Sequence, residues 1–176
     1  MSINERSSDF SDFVNCQPEH IRHLLSEADL TNETAAEVAT HVLTTDQLYC
    51  GSDGGLLNGK GTFGFVWADR SCKQVLLSGR GQVPGQVYSM SSTRTELCGI
   101  YASLCYVQLV TQFFHLVLPR RGLVCTIYCD SKAALQRVRD LTYSGFRTTW
   151  RCRANYDLEA AIKKSLRTPG LHVTWE

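Results

Sequence analysis

Three acidic residues stand at positions where an acid needs a reason. Asp53 closes a short strand-like run in QLYCGSDGG, Glu96 falls in the first turns of a helix-like run in SSTRTELCGIYASL, and Asp130 closes the apolar run in VCTIYCDSKAAL. Singly, each has an ordinary role: a turn acid, a helix acid that complements the dipole, and an acid opening the next helix. Together they suggest a shared purpose. Two carboxylates at the carboxyl ends of apolar strands face the crevice where α/β folds bind ligands, and a helix acid is able to lean over them. That is a donor set for a hard cation such as Mg²⁺, which takes carboxylate oxygens and fills its remaining positions with water or substrate phosphate.

The flanking pattern sets out the elements that must hold these acids. Residues 1 to about 18 are rich in Ser, Asp and Asn and are expected to form a disordered tail. Helical spacing at Ile21, Leu24 and Leu25, then at Ala35, Val38, Ala39 and Val42, predicts two short helices, the second opened by Asn32 or Thr34. Strands are expected over 48–53, 62–68 and 74–78 as an antiparallel meander. The glycines of GKGTFGFV match the kinase glycine loop by letter, yet they precede a strand instead of opening a helix, so they read as a hairpin turn with Gly59 and Gly61 at positive φ. A long helix over 92–118, capped from Ser91-Ser92-Thr93, should stop at Pro119. Residues 123–129, apolar on both faces, suit a central parallel strand. Helices over 131–140 and 156–166 and a strand over 171–176 complete an α/β chain with a mixed sheet flanked by helices. Residues 1–47 read as a linker-like extension and 48–176 as the domain proper.

Composition narrows the function classes. The net charge of +1 over 176 residues gives no global basic field, so nucleic-acid binding would have to come from a local patch. The eight cysteines are scattered through apolar runs and the amino-terminal stretch has no basic-then-apolar signal, which points to reduced thiols in an intracellular protein, nuclear or cytoplasmic and not secreted. The longest apolar stretch is broken by Ser103, Gln108, Thr111, Gln112 and His115, so no membrane span is expected. The histidines share no metal spacing with cysteines, and Cys125 and Cys129 read as core. Lys132, Arg137 and Arg139 on one helix fit a phosphate-gripping patch and a solvated face equally well.

The motif set S-D-G-G with G-x-F-G-F-V-W, then S-S-T-R-T-E-L-x-G-I, then I-Y-C-D-S-K-A-A-L, resembles the ribonuclease H family (type 1). It is most similar to the ribonuclease H domains that follow reverse transcriptases in retrotransposons, over about residues 48 to 176. The resemblance implies a five-stranded mixed sheet, two Mg²⁺ ions with Mn²⁺ as a substitute, and hydrolysis of the RNA strand of an RNA–DNA hybrid. It implies catalytic metal ligands at Asp53, Glu96 and Asp130, with Asp53 bridging both ions. It also implies hybrid contacts from the backbone of Ser52, Gly54 and Gly55, from Thr93 and Arg94, and from Lys132. A reverse transcriptase domain encoded upstream is the implied neighbour. The chain departs from the family where a fourth acid should lie on a helix beyond the last strand: it stops at HVTWE, as if truncated. Asp157 matches a position opening the penultimate helix and is not that ligand, and Glu176 is expected to fall inside the last strand, out of reach. A non-catalytic nucleic-acid-binding or interaction remnant of a mobile element is the alternative, and a transposase or integrase core a lesser third.

Overall fold

The computed structural model describes residues 9–45, 47–85, 89–118, 122–143 and 154–176. Three short helices, α1 (Phe10–Asn15), α2 (Glu19–Leu24) and α3 (Asn32–Thr45), precede the meander β1 (Gln47–Leu57), β2 (Lys60–Ala68) and β3 (Val75–Gln82). Then follow α4 (Ser92–Phe113), β4 (Leu123–Cys129), α5 (Lys132–Tyr143), α6 (Tyr156–Ser165) and β5 (Leu171–Trp175). The five strands form one sheet in the order β3-β2-β1-β4-β5. β1–β2 and β2–β3 are antiparallel, while β1–β4 and β4–β5 are parallel. This is the five-stranded mixed sheet flanked by helices that the sequence led us to expect, behind a short helical amino-terminal extension.

Alternation decides which face is which. Leu48, Cys50 and Ser52 of β1 and Cys125, Ile127 and Cys129 of β4 are buried, on the side where α4 packs. Tyr49, Gly51 and Asp53 alternate to the other face with Val66 and Tyr128, which are 39% and 41% exposed. α4 shows why the apolar stretch is so long. Nearly every residue from Arg94 to Val110 is buried, because the helix meets β1 and β2 on one side and α6 and the amino-terminal helices on others.

Several boundaries differ from expectation. α1 lies inside the stretch read as a tail: Asp9 caps it through Ser11 N–H (2.8 Å), Phe10 N–H donates to Asn32 Oδ1 (2.7 Å), and Phe10 and Val14 are buried. The first eight residues of that stretch lie outside the described residues. α3 begins at Asn32, and its cap is Thr31, whose hydroxyl accepts Thr34 N–H. The β1–β2 turn is Asn58-Gly59, with φ of 51° and 74°. Gly61, expected at positive φ, is instead a strand residue whose missing side chain leaves room for Thr95 and Met90. α4 ends at Phe113, before Pro119, which lies outside the described residues. The stop is local: His115 adopts φ 49°, its N–H bonds Gln112 O, and Leu116 N–H bonds Thr111 O, a Schellman closure.

Candidate metal centre

β1 runs on to Leu57, so Asp53 does not end a strand as expected. What ends there is the parallel ladder: pairing with β4 stops at Ser52↔Cys129, while pairing with β2 continues through Asp53↔Gly64 to the hairpin. Asp53 is thus the first β1 residue past its parallel neighbour, and Asp130 the first residue past β4. Both acids line one crevice of about 780 Å³ on the sheet's open face, together with Gly64, Arg80, Tyr128 and Glu176.

Glu96 reaches this edge from the α4 side. Ser91 caps α4 by accepting Arg94 N–H at 3.1 Å, which places Glu96 in the second turn facing β1. The approach is very close. A Cβ on Gly54 would lie 2.5 Å from Glu96 N, and one on Gly99 would lie 2.5 Å from Ser52 Oγ. Glycine at both positions lets helix and strand touch.

Glu96, Cys129 and Asp130 form the tight group here: one ligand atom of each lies within 4.8 Å of the others, and Glu96 Oε2 stands 3.5 Å from Cys129 Sγ. Asp53 is outside that group. Its Oδ1 accepts Gly54 N–H at 2.8 Å. The Glu96 carboxyl is pushed above its ordinary value, first by burial and then, against the Cys129 bond, by the negative charges of Asp53 and Asp130. Beside this cluster Ser52 buries a hydroxyl with no hydrogen-bond partner.

The other sequence candidates separate cleanly. Arg94, expected to touch nucleic acid, is buried and forms a bidentate pair with Asp157 (2.9 and 2.7 Å), with further bonds to Pro84 O. It bolts the start of α4 to the start of α6. Gly54, expected to present backbone to the hybrid, is occupied by the α4 contact, and a Cβ on Gly55 would face Thr62 Oγ1 at 3.0 Å. Thr93 is half-buried and Lys132 is exposed at the start of α5. Its two companions are tied to neighbours, half-buried Arg137 to Glu159 and exposed Arg139 to Trp175 O. Glu176 follows β5 instead of falling inside it and lines the crevice with Tyr128, whose phenol is pushed above its ordinary value by burial and then by the Glu176 charge. Sequence reading placed Cys129 in the core and missed its contact with Glu96. Its parity with Cys125 and Ile127, toward the helix carrying Glu96, was the available signal.

No protein-family model and no curated protein matches the chain. Among solved structures it is similar to LC11-RNase H1 in complex with an RNA/DNA hybrid, at 18% identity and a TM-score of 0.48, covering 73% of this chain and 84% of that one. It is also similar to RNase H1 from Halobacterium salinarum NRC-1, at 12% identity and 0.46, covering 74% and 85%. A third is the foamy viral protease-reverse transcriptase in complex with an RNA/DNA hybrid, at 12% identity and 0.43, covering 74% of this chain and 17% of that one. At these values the likeness adds nothing to the fold read from the strand pairing.

Proposed function

We propose that this chain is a metal-dependent nuclease of the ribonuclease H type, derived from a retroelement, which hydrolyses the RNA strand of RNA–DNA hybrids. The observation that carries the reading is the gathering of the Glu96 and Asp130 carboxylates within 4.8 Å of each other, with Asp53, which lines the same crevice as Asp130, near enough that its charge also pushes the Glu96 carboxyl up. Three acids gathered with no cation among them cost folding free energy, which a bound divalent ion returns.

The donors fit Mg²⁺, since Asp53, Glu96 and Asp130 offer hard carboxylate oxygens. Two such ions, when bound, supply water activation and leaving-group stabilisation for an in-line displacement. The chain's own part is placement. Glu96, buried and held against Cys129 Sγ, presents its carboxylate at the back of the site. Asp53 and Asp130, on the crevice side, present theirs toward an incoming phosphodiester. The Arg94–Asp157 pair keeps the first turns of α4, and so Glu96, in position. Exposed Lys132 lies two residues beyond Asp130, where a backbone phosphate would pass. A reverse transcriptase domain encoded upstream is the proposed neighbour, and the intracellular setting the proposed compartment.

The test is cleavage of a labelled RNA–DNA hybrid in Mg²⁺ and in Mn²⁺, with Asp53→Asn as the negative control. Cutting of the RNA strand that Asp53→Asn abolishes supports the enzyme. Hybrid binding without cleavage in either metal assigns the chain to the non-catalytic alternative.

A further inference from the structure

The tight donor group beside the crevice is not all carboxylate. Cys129 Sγ belongs to it on equal terms with Glu96 and Asp130, all within 4.8 Å. β4 alternation turns Cys129 toward α4, on the side from which Glu96 arrives. A second, independent feature lies against it. Ser52 is the register partner of Cys129 across β1 and β4, lines the same crevice, is 7% exposed, and keeps a hydroxyl without a hydrogen-bond partner. A buried hydroxyl with no partner costs free energy unless something supplies one.

Sulfur changes which cations such a group prefers. Carboxylates alone favour Mg²⁺ and Mn²⁺, whereas a thiolate beside two carboxylates suits a borderline or soft ion, with Zn²⁺ bound by sulfur at ~2.3 Å and by carboxylate oxygen at ~2.0–2.2 Å. We infer that Glu96, Cys129 and Asp130 form a site for a thiophilic divalent cation, Zn²⁺ in chemical class, with water or the Ser52 hydroxyl filling the coordination shell. Binding exchanges the S–H bond of Cys129 for a sulfur–metal bond and releases the proton to solvent, with no change of oxidation state. The inference extends the metal-centre reading, because such an ion occupies two of the carboxylates that hydrolysis requires. Zn²⁺ is then an inhibitor competing with the hard activating cation, and Cys129 is the residue that makes it so.

The experiment uses the full chain under reducing conditions, titrated with Cd²⁺ as a spectroscopic probe and with Zn²⁺ by calorimetry. Cys129→Ser and Glu96→Gln are compared with the unmodified chain, and Cys129→Ala serves as a second variant should the serine fold poorly. The expected result is a saturable sulfur-to-cadmium charge-transfer band that disappears in the Cys129 variants, and a Zn²⁺ Kd raised about tenfold or more in Glu96→Gln. A band of equal size in unmodified chain and Cys129 variants overturns the inference, since other cysteines then bind the probe. Unchanged affinity in Glu96→Gln overturns it too, because the thiol would then act without the carboxylate. Thermal stabilisation by Mn²⁺ is read in parallel. A Cys129→Ser chain that keeps the Mn²⁺ shift while losing the cadmium band supports the thiophilic site and leaves the nuclease reading standing. A cadmium band as expected, with no Mn²⁺ shift in any variant, supports the thiophilic site and removes the nuclease reading.

Discussion

At the scale of single residues, the centre is defined by what surrounds Glu96. Burial comes first and the like charges of Asp53 and Asp130 add to it, so the folded carboxyl titrates above the unfolded one, whose ordinary value is 4.5. The sign follows directly. As pH rises past that ordinary value the unfolded chain gives up this proton more readily than the folded chain, and the native state is penalised. Glu96→Gln is therefore expected to melt higher than the unmodified chain at pH 7 in chelator, and the advantage should fade as pH falls toward 4.5. It should also remove the stabilisation by Mg²⁺ or Mn²⁺. Melting curves across pH with and without cation check both, and equal midpoints at pH 7 in chelator would contradict the account. Asp157 shows the opposite sign. The Arg94 guanidinium holds its carboxyl below the ordinary 3.8, so the pair stabilises fully above that value and its contribution is lost as pH falls through the folded value. Asp157→Asn should lower the melting temperature at pH 7 and converge with the unmodified chain in acid. If Arg94 instead served nucleic acid, Asp157→Asn would leave stability unchanged and alter hybrid affinity alone.

At the scale of elements, the contact between β1 and α4 does most to build the site. An added Cβ at Gly54 would meet the backbone N of Glu96 and C of Thr95, which have no flexible end to swing aside. Gly54→Ala is expected to cost about 1–3 kcal/mol, the range for overpacking, and to displace Glu96 from Asp130. The measurement is a denaturant midpoint together with Mn²⁺ affinity, and an unchanged cation affinity would disconnect the glycine from the centre. This contact also marks how far sequence could be read. The strands and long helix were legible because period and caps act locally: Ser91 as a cap and the two-faced apolarity of 123–129 are written within a few residues. Of the three acids singled out in the sequence, the structure gathers Glu96 and Asp130 with Cys129 and leaves Asp53 outside that group. What was not legible depends on distant partners. Arg94 looked available to phosphate until Asp157, 63 residues away, claimed it. Gly54 looked open to a ligand until α4 covered it. α4 stopped short of Pro119 because His115 took a left-handed conformation, which is uncommon for any residue but glycine and which composition does not signal.

At the scale of the whole molecule, the amino-terminal helices matter more than a linker reading suggests. Phe10, Val14, Leu24, Leu25, Ala35, Val38 and Val42 are buried in the same hydrophobic cluster as Leu97, Ile100, Leu104 and Trp67. Phe10 is the clearest case. It is wholly buried, meets Tyr106 edge-on at 5.5 Å and Phe113 at 5.4 Å, and its N–H ties α1 to Asn32 at the start of α3. Tyr106 in turn donates its hydroxyl to Asp29 O at 2.8 Å, so the far side of α4 is held by these segments much as its near side is held by the sheet. Because Glu96 rides on α4, loosening that far side should be felt at the crevice. Phe10→Ala removes a fully buried aromatic and is expected to cost about 3–5 kcal/mol, a fall in melting temperature on the order of 10 °C for a chain of this size. A dispensable leader would behave differently, and Phe10→Ala would then melt with the unmodified chain. The two outcomes are separated by one calorimetric scan, and repeating it with saturating Mn²⁺ asks the further question. If α4 carries the coupling, a cation-induced shift should shrink in Phe10→Ala; if the shift is undiminished, the amino-terminal helices stabilise the core without reaching the acid cluster.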